Sequence, residues 1–245
     1  MRVKIDRMTS VQAEPNDYDS FAVAYAAKNE TSLHNAYYER PAMLDLAGDV
    51  TGRRVLDAGC GAGPLAAALR ERGAIVTGFD SSAQMLELAR KRLGDDTELH
   101  LAELGGPLPF PDAAFDDVVA SLVLHYLEDW TAALAELRRV LVPGGRLLVS
   151  VDHPVIGLVQ PDAADYFATY RRSEEWTMGG HTAVMSFWHR PLHAMTDAFT
   201  SAGFRIDVIS EPFPAPGARE KFPEAFVDKP SGAFVCFLFF VLRAA

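Results

Sequence analysis

The residues best suited to chemistry sit in one stretch, Val55-Leu56-Asp57-Ala58-Gly59-Cys60-Gly61-Ala62-Gly63, where an apolar run meets a glycine-rich turn. Glycines let a backbone approach a ligand closely, and a helix opening behind the turn would offer it free N–H groups. Such a turn implies a nucleotide-like ligand. A dinucleotide fingerprint puts Gly or Ala three positions after Gly61, where this chain has Pro64, and keeps the strand end apolar, where it has Asp57. That carboxylate would repel a pyrophosphate. A part-buried acid is tolerable only when paired, so Asp57 suits an ammonium or a sulfonium. Asp80 ends a second apolar run, Gly78-Phe79-Asp80, and can accept both hydroxyls of a ribose lying across the turn. Plainer readings stand beside these. Asp57 could cap local N–H groups, the glycines could serve only a tight strand–helix turn, and Asp80 could be the N-cap of the next helix.

Two histidines are candidate general bases. His153 follows Asp152 just past the fifth expected strand, at the carboxyl edge where ligands sit in open α/β sheets, and His189 precedes Arg190-Pro191. His189 could equally cap the helix that follows. His125, in Leu124-His125-Tyr126, reads as a hydrogen-bonded structural residue. The histidines are too scattered for a metal site, and Cys60 and Cys236 suggest neither a disulfide framework nor a metal cluster.

Several elements must position these groups. Short apolar runs at 53–58, 74–79, 97–102, 115–121 and 146–151 read as strands. Between them, 64–72, 83–93 and 131–141 carry apolar residues at i, i+3 and i+4, as helices do. This alternation predicts a parallel sheet with crossover helices. Val142-Pro143-Gly144-Gly145-Arg146 is expected to be the turn between helix and fifth strand. After Val151 the rhythm breaks, and 154–189, with Tyr166, Phe167, Tyr170, Trp176, Phe187 and Trp188, reads as an inserted cap. A helix at 191–202 and strands at 204–210 and 233–243 follow. Two helices precede Thr51.

At 245 residues and 49% hydrophobic content the chain is long enough for one main core. Its formal charge of −10 repels phosphate backbones and anionic lipid, which argues against nucleic acid as a partner. The run 234–242 is far short of the ~20 residues a membrane helix needs. The first ten residues lack the apolar core of an export signal. A cytoplasmic protein, monomer or homodimer, is expected.

Asp57 for an amino-acid head, glycines for close approach and Asp80 for a ribose together describe S-adenosylmethionine. Here the chain resembles the class I S-adenosylmethionine-dependent methyltransferases, in particular the type 11, ubiquinone-biosynthesis-like group acting on small molecules. The resemblance rests on VLDAGCGAG (55–63), GFD (78–80), AEL (102–104), PLPFPDAAFDDVVASLVLHYLED (107–129) and RVLVPGGRLLVS (139–150). It implies that Asp57, Gly59, Cys60 and Gly61 border the methionine part of the cofactor and that Asp80 binds its ribose. Ser81 and Met85 would line the adenine, Ala102, Glu103 and Leu104 would edge it, and Ser121 would lie near the methionine end. Tyr18 and Tyr25 match the first helix, whose tyrosines close over the cofactor. Glu103 stands where the family usually has Asp.

The implied fold is Rossmann-like: a seven-stranded, mostly parallel sheet with an antiparallel last strand, helices on both faces and a small cap after the fifth strand. The residues alone stop at a doubly wound sheet. The expected organisation is a single domain, 1–245, with N-terminal helices at 16–48 and an inserted substrate cap at 154–189. The implied activity is in-line methyl transfer to a small acceptor, aromatic or otherwise apolar, governed by proximity and a histidine base. The alternative is a non-catalytic S-adenosylmethionine-binding subunit or sensor. A nucleic-acid methyltransferase is disfavoured by the charge and by the lack of an Asn/Asp-Pro-Pro-aromatic motif, and a nicotinamide oxidoreductase by Pro64 and Asp57.

Overall fold

The structure, a computed structural model, describes residues 16–159, 165–229 and 231–245. The N-terminal stretch read for an export signal and residues 160–164 of the expected cap lie outside them. Strands β1 (Arg54–Ala58), β2 (Ile75–Asp80), β3 (Glu98–Leu101), β4 (Phe115–Ser121), β5 (Leu141–Asp152), β8 (Phe204–Ser210) and β9 (Phe237–Ala244) form one sheet in the order β3-β2-β1-β4-β5-β9-β8. The pairings among β1 to β5 are parallel, and β9 runs antiparallel to both β5 and β8.

Neighbouring residues on each inner strand point to opposite faces, so a sheet covered on both sides needs unbroken apolar runs. Leu56, Val118, Leu147 and Phe240 enter one core, with Leu134 and Leu137 of α5 (Thr131–Val140) and Phe199 of α6 (Leu192–Ser201). Val55, Val119, Leu148 and Phe239 enter the other. There they meet α2 (Arg40–Ala47), α3 (Pro64–Glu71) and α4 (Ala83–Leu93) through Met43, Leu65, Leu69, Ala89 and Leu93. α1 (Ala22–Asn29) precedes α2, and a π-helical turn, Asn35–Glu39, leads into α2.

The expected turn at Val142-Arg146 is instead part of β5. Leu141 pairs with Phe115 and Arg146 with Asp117, so the Pro and Gly residues make an excursion within the pairing. Gly144 has φ +75° there, and a Cβ on Gly145 would lie 2.9 Å from the Val142 carbonyl oxygen. The sharp departure from the helix foreseen at these residues is absorbed without ending the strand.

The stretch after β5 is more regular than its sequence suggests. A 3₁₀ turn, Pro154–Val159, is followed by an antiparallel ribbon of β6 (Tyr170–Met178) and β7 (His181–His189). Gly179 and Gly180 close it with φ +57° and +82°, the left-handed pair a two-residue hairpin turn requires. Met185, Phe187 and Trp176 pack the ribbon on Phe21, Tyr18, Tyr25 and Tyr126. Arg172 is buried and pairs with Asp152 at the end of β5 and with Glu174. Among the described residues no helix is long and apolar enough to cross a membrane.

Candidate functional site

The chain passes from β1 outward to β2 and β3 and then returns to β4 on the other side of β1. Loops at the carboxyl ends of β1 and β4 therefore diverge, and such a switch point opens a crevice. The crevice is a cavity of about 260 Å³, closed on top by α1, the π-helical turn and the start of α2.

Asp57 lies in register between Gly78 and Val119 and is 1% exposed. Its Oδ2 has no hydrogen-bond partner among the described residues. Burial pushes its carboxyl up to about 7; Glu39 and Asp80 add to the shift, and the Ala66 N–H pulls against it. An unpaired buried carboxyl is expensive unless something cationic meets it.

In the turn after β1, the N–H groups of Gly59 and Cys60 both donate to the Phe79 carbonyl at 2.9 Å. A Cβ on Gly59 would lie 2.6 Å from Val123, whereas one on Gly61 would meet no atom of the described residues beyond its chain neighbours within 4 Å. Gly61 thus leaves its side of the cavity open, and its N–H donates to Asp80 Oδ2 at 2.8 Å. Asp80 Oδ1 accepts the Ser82 N–H at 2.9 Å. The N-cap of α4 is Ser82, whose hydroxyl accepts the Met85 N–H at 3.0 Å. Burial raises the Asp80 carboxyl pKa, against the N–H groups of Ser82, Gly61 and Ser81.

Tyr18, Tyr25, Asp57, Gly59, Cys60, Gly61, Asp80, Ser81, Met85, Ala102, Glu103, Leu104 and Ser121 all line this one cavity. Met85 is also core, packed with Ala22 and Ala62, so both readings of it hold. Ser81 and Glu103 are exposed at the rim. Tyr18 and Tyr25 meet edge to face with centroids 5.0 Å apart, and the Tyr18 hydroxyl bonds that of Tyr126. Tyr25 in turn stacks on Trp176 of the ribbon, interplanar angle 6°.

The structure does not bring His153 and His189 to the cavity. His153 Nε2 pairs with Glu211 at 2.7 Å, and its Nδ1 accepts the Val155 N–H at 3.2 Å. His189 Nε2 bonds the Tyr166 carbonyl at 2.9 Å while its ring stacks on Tyr170. Burial lowers the pKa of both. His125 is buried, with the Asp152 N–H donating to its Nδ1 at 3.4 Å.

Glu39, Arg40, Asn29 and Tyr126 also line the cavity and were not foreseen. Glu39 is 4% exposed, and its Oε1 accepts the hydroxyls of Ser121 at 2.6 Å and Ser150 at 2.7 Å. Burial raises its pKa, against those two hydroxyls and Arg40. One signal was present in the sequence: Glu39 stands three and four residues before Ala42 and Met43, inside an apolar helical stripe.

The donor set fits S-adenosylmethionine. The orphan oxygen of Asp57 suits its ammonium, Asp80 suits a ribose, and the open side of Gly61 leaves room for the chain between them.

Known proteins agree with this geometry. Residues 56–149 match a family model described as a methyltransferase domain. A demethylmenaquinone methyltransferase of Tropheryma whipplei (strain Twist) is 37% identical over 123 residues, 50% of this chain and 51% of that protein. The chain thus spans about half the length of that relative. One from Clavibacter sepedonicus is 37% identical over 186 residues, 75% of this chain and 76% of that protein. The crystal structure of an S-adenosylmethionine-dependent methyltransferase from Mesorhizobium loti superposes with a TM-score of 0.70 at 28% identity, covering 88% of this chain and 99% of that one. With cavity, fold and relatives in agreement, the chain belongs to the S-adenosylmethionine-dependent methyltransferases.

Proposed function

We propose that the protein transfers a methyl group from S-adenosylmethionine to a small, aromatic or otherwise apolar acceptor. The observation that carries this reading is the pairing, in one cavity, of the Asp57 carboxyl, whose Oδ2 has no partner among the described residues, with Asp80 held against the Gly61 N–H. When bound, the cofactor supplies a methyl group already activated by a sulfonium charge. The chain has to align, exclude water and stabilise charge. In this reading Asp57 meets the α-ammonium and Asp80 accepts the ribose hydroxyls. Met85, Ala102 and Leu104 give the adenine its apolar walls, and Ser81 and Glu103 its rim. Ser121 stands at the methionine end with Gly59, Cys60 and Gly61.

Tyr18, Tyr25 and Tyr126 line the cavity under the ribbon, an aromatic surface against which a flat acceptor would pack. That the two relatives above are named as demethylmenaquinone methyltransferases supports an acceptor of this apolar, ring-bearing kind. No base role goes to His153 or His189, because both bond protein groups away from the cavity. Rate enhancement is assigned to proximity, which can contribute about 7–11 kcal/mol.

Calorimetry with adenosylhomocysteine, followed by transfer of labelled methyl to a panel of quinols and phenols, tests the reading. Micromolar binding with label in at least one acceptor is expected. Tight binding without transfer to any small acceptor would leave a binding protein and remove the enzyme.

A further inference from the structure

Tyr126 and Tyr18 reach the cavity from separate parts of the chain. Tyr126 ends the 3₁₀ turn Leu124–Tyr126 that follows β4, and Tyr18 immediately precedes the turn Asp19–Phe21. Their hydroxyls bond each other. Both residues are held in place. The Tyr126 ring meets His125 and Phe187 with centroids 4.6 and 5.4 Å away, and its N–H donates to the Val123 carbonyl at 3.1 Å. The Tyr18 N–H donates to the carbonyl of Asn16, whose side chain is fastened to Ser186 of β7. The hydroxyl pair is thus fixed between the loop after β4 and the ribbon.

A proton count gives the pair a direction. Two phenols carry two O–H donors, the bond between them uses one, and the second must find an oxygen elsewhere. Tyr25, edge to face with Tyr18, leaves the balance as it is, because each hydroxyl added in line brings one proton and takes one. Burial pushes the pKa of both Tyr18 and Tyr126 well above the ordinary tyrosine range. Tyr126 and Tyr25 add to the shift at Tyr18. At Tyr126, Tyr25, Asp152 and Asp80 add to it, and the Tyr18 hydrogen bond pulls against it. Both hydroxyls therefore stay protonated, and a donor backed by a second hydroxyl is polarised by it. The position of the pair separates it from the groups read as holding the nucleoside. Asp80 and Ala102 to Leu104 lie at the ends of β2 and β3, whereas Tyr126 follows β4, on the other side of β1.

We propose that Tyr126, with Tyr18 as its positioning residue, anchors a ring oxygen of the methyl acceptor, which is bound as a phenolate or enolate. The anchor rests on the reading of this cavity as the site of methyl transfer to a flat acceptor, and it narrows that acceptor to rings bearing an ionisable hydroxyl. No bond to the tyrosines forms. The acceptor hydroxyl gives its proton to water, and the spare tyrosine O–H donates to the oxygen left negative, as preorganised neutral donors do at sites of developing charge.

Absorbance titration of 4-nitrophenol on the full chain saturated with adenosylhomocysteine tests it, because this probe changes colour on ionising. Nitrobenzene, without the hydroxyl, is the second probe. Tyr126→Phe keeps the ring and removes the O–H. It should move the bound nitrophenol's colour change upward by about one to two pH units against wild type, the worth of a hydrogen bond to a charged group. Adenosylhomocysteine and nitrobenzene affinities should stay within about twofold. Tyr18→Phe should move the colour change in the same direction and by less. An identical midpoint in wild type and Tyr126→Phe, or equal weakening of nitrophenol and nitrobenzene, would overturn the anchor and leave the proposed methyl transfer standing. A midpoint unmoved by Tyr18→Phe alone would overturn the positioning role. A wild-type chain that bound adenosylhomocysteine but neither aromatic probe would remove the anchor and the aromatic acceptor together, and one that bound no adenosylhomocysteine would remove the donor site as well.

Discussion

A buried carboxyl group raised to about 7 at the wall of a cavity makes ligand binding a proton-linked event. Burial, Glu39 and Asp80 bring Asp57 to about 7, and an ammonium beside it would reverse that shift. Affinity for adenosylhomocysteine should then weaken by up to about tenfold per pH unit below 7, with uptake of ligand releasing a proton. Calorimetry in two buffers of different ionisation heat measures this directly; a pH-independent affinity between 5.5 and 8 would contradict it. Because the three acids share one cavity, the observed midpoint belongs to the set. The sign for stability follows from a raised carboxyl: the ligand-free protein has its full contribution from Asp57 below the ordinary value of 3.8 and loses it as pH rises through about 7. Asp57→Asn should accordingly raise the ligand-free melting temperature at pH 8 by a few degrees while reducing adenosylhomocysteine affinity at least 100-fold. A variant that melts lower at pH 8 would show that the acid is structural.

At the scale of elements, the ribbon is the part most open to perturbation. It is fastened by the Tyr25–Trp176 stack, by Asn16, whose side-chain amide exchanges two hydrogen bonds with the Ser186 backbone, and by Arg172 on Asp152. Gly179 at its tip has φ +57°, and a Cβ there would sit 3.0 Å from that of Ala24. Gly179→Val should destabilise the ribbon by about 1–3 kcal/mol and loosen it from α1. Limited proteolysis should then cut within 165–189 while the melting of the sheet is unchanged; resistance equal to wild type would count against this.

The same element marks where the sequence stops being legible. β1, β2, β4 and β5 were readable because strands buried on both faces are nearly unbroken apolar runs. β6 was not, because its inward face carries Arg172 and Glu174, whose burial is balanced by each other and by Asp152. No hydrophobic alternation survives such a substitution. The Pro-Gly-Gly excursion in β5 misled for the opposite reason: residues that usually end a strand here only bulge it.

For the molecule as a whole, the two ends of the sheet do different work. At the amino ends of the strands Asp117, 1% exposed, is gripped by Arg53 and Arg146, and Arg146 also donates to the Ala47 carbonyl at the end of α2. Burial works against that charge, yet the two guanidinium groups outweigh it and hold the carboxyl below its ordinary range. Asp117→Asn should cost about 3–5 kcal/mol and lower the melting temperature by roughly 10 °C at neutral pH. The Asp117 contribution is present above 3.8 and is lost as pH falls through its lowered value, so variant and wild type should converge in acid. A constant gap in melting temperature down to pH 3 would refute this.

The cavity at the other end was half legible. Asp57 to Gly63 and Asp80 announce themselves as local motifs, while Glu39 and Arg40 arrive from a distant segment with no motif of their own. His153 does lie at a carboxyl edge, as expected, but beyond β5, beside Glu211, whereas the crevice opens between β1 and β4. Strand position names the edge and not the place along it.

Because the ion cluster and the cavity occupy opposite rims, drift at one need not be compensated at the other. A library randomised across Tyr18, Tyr25 and Tyr126 varies the cavity wall, at most loosening the ribbon that packs on it, while the sheet and its ion cluster stay as they are.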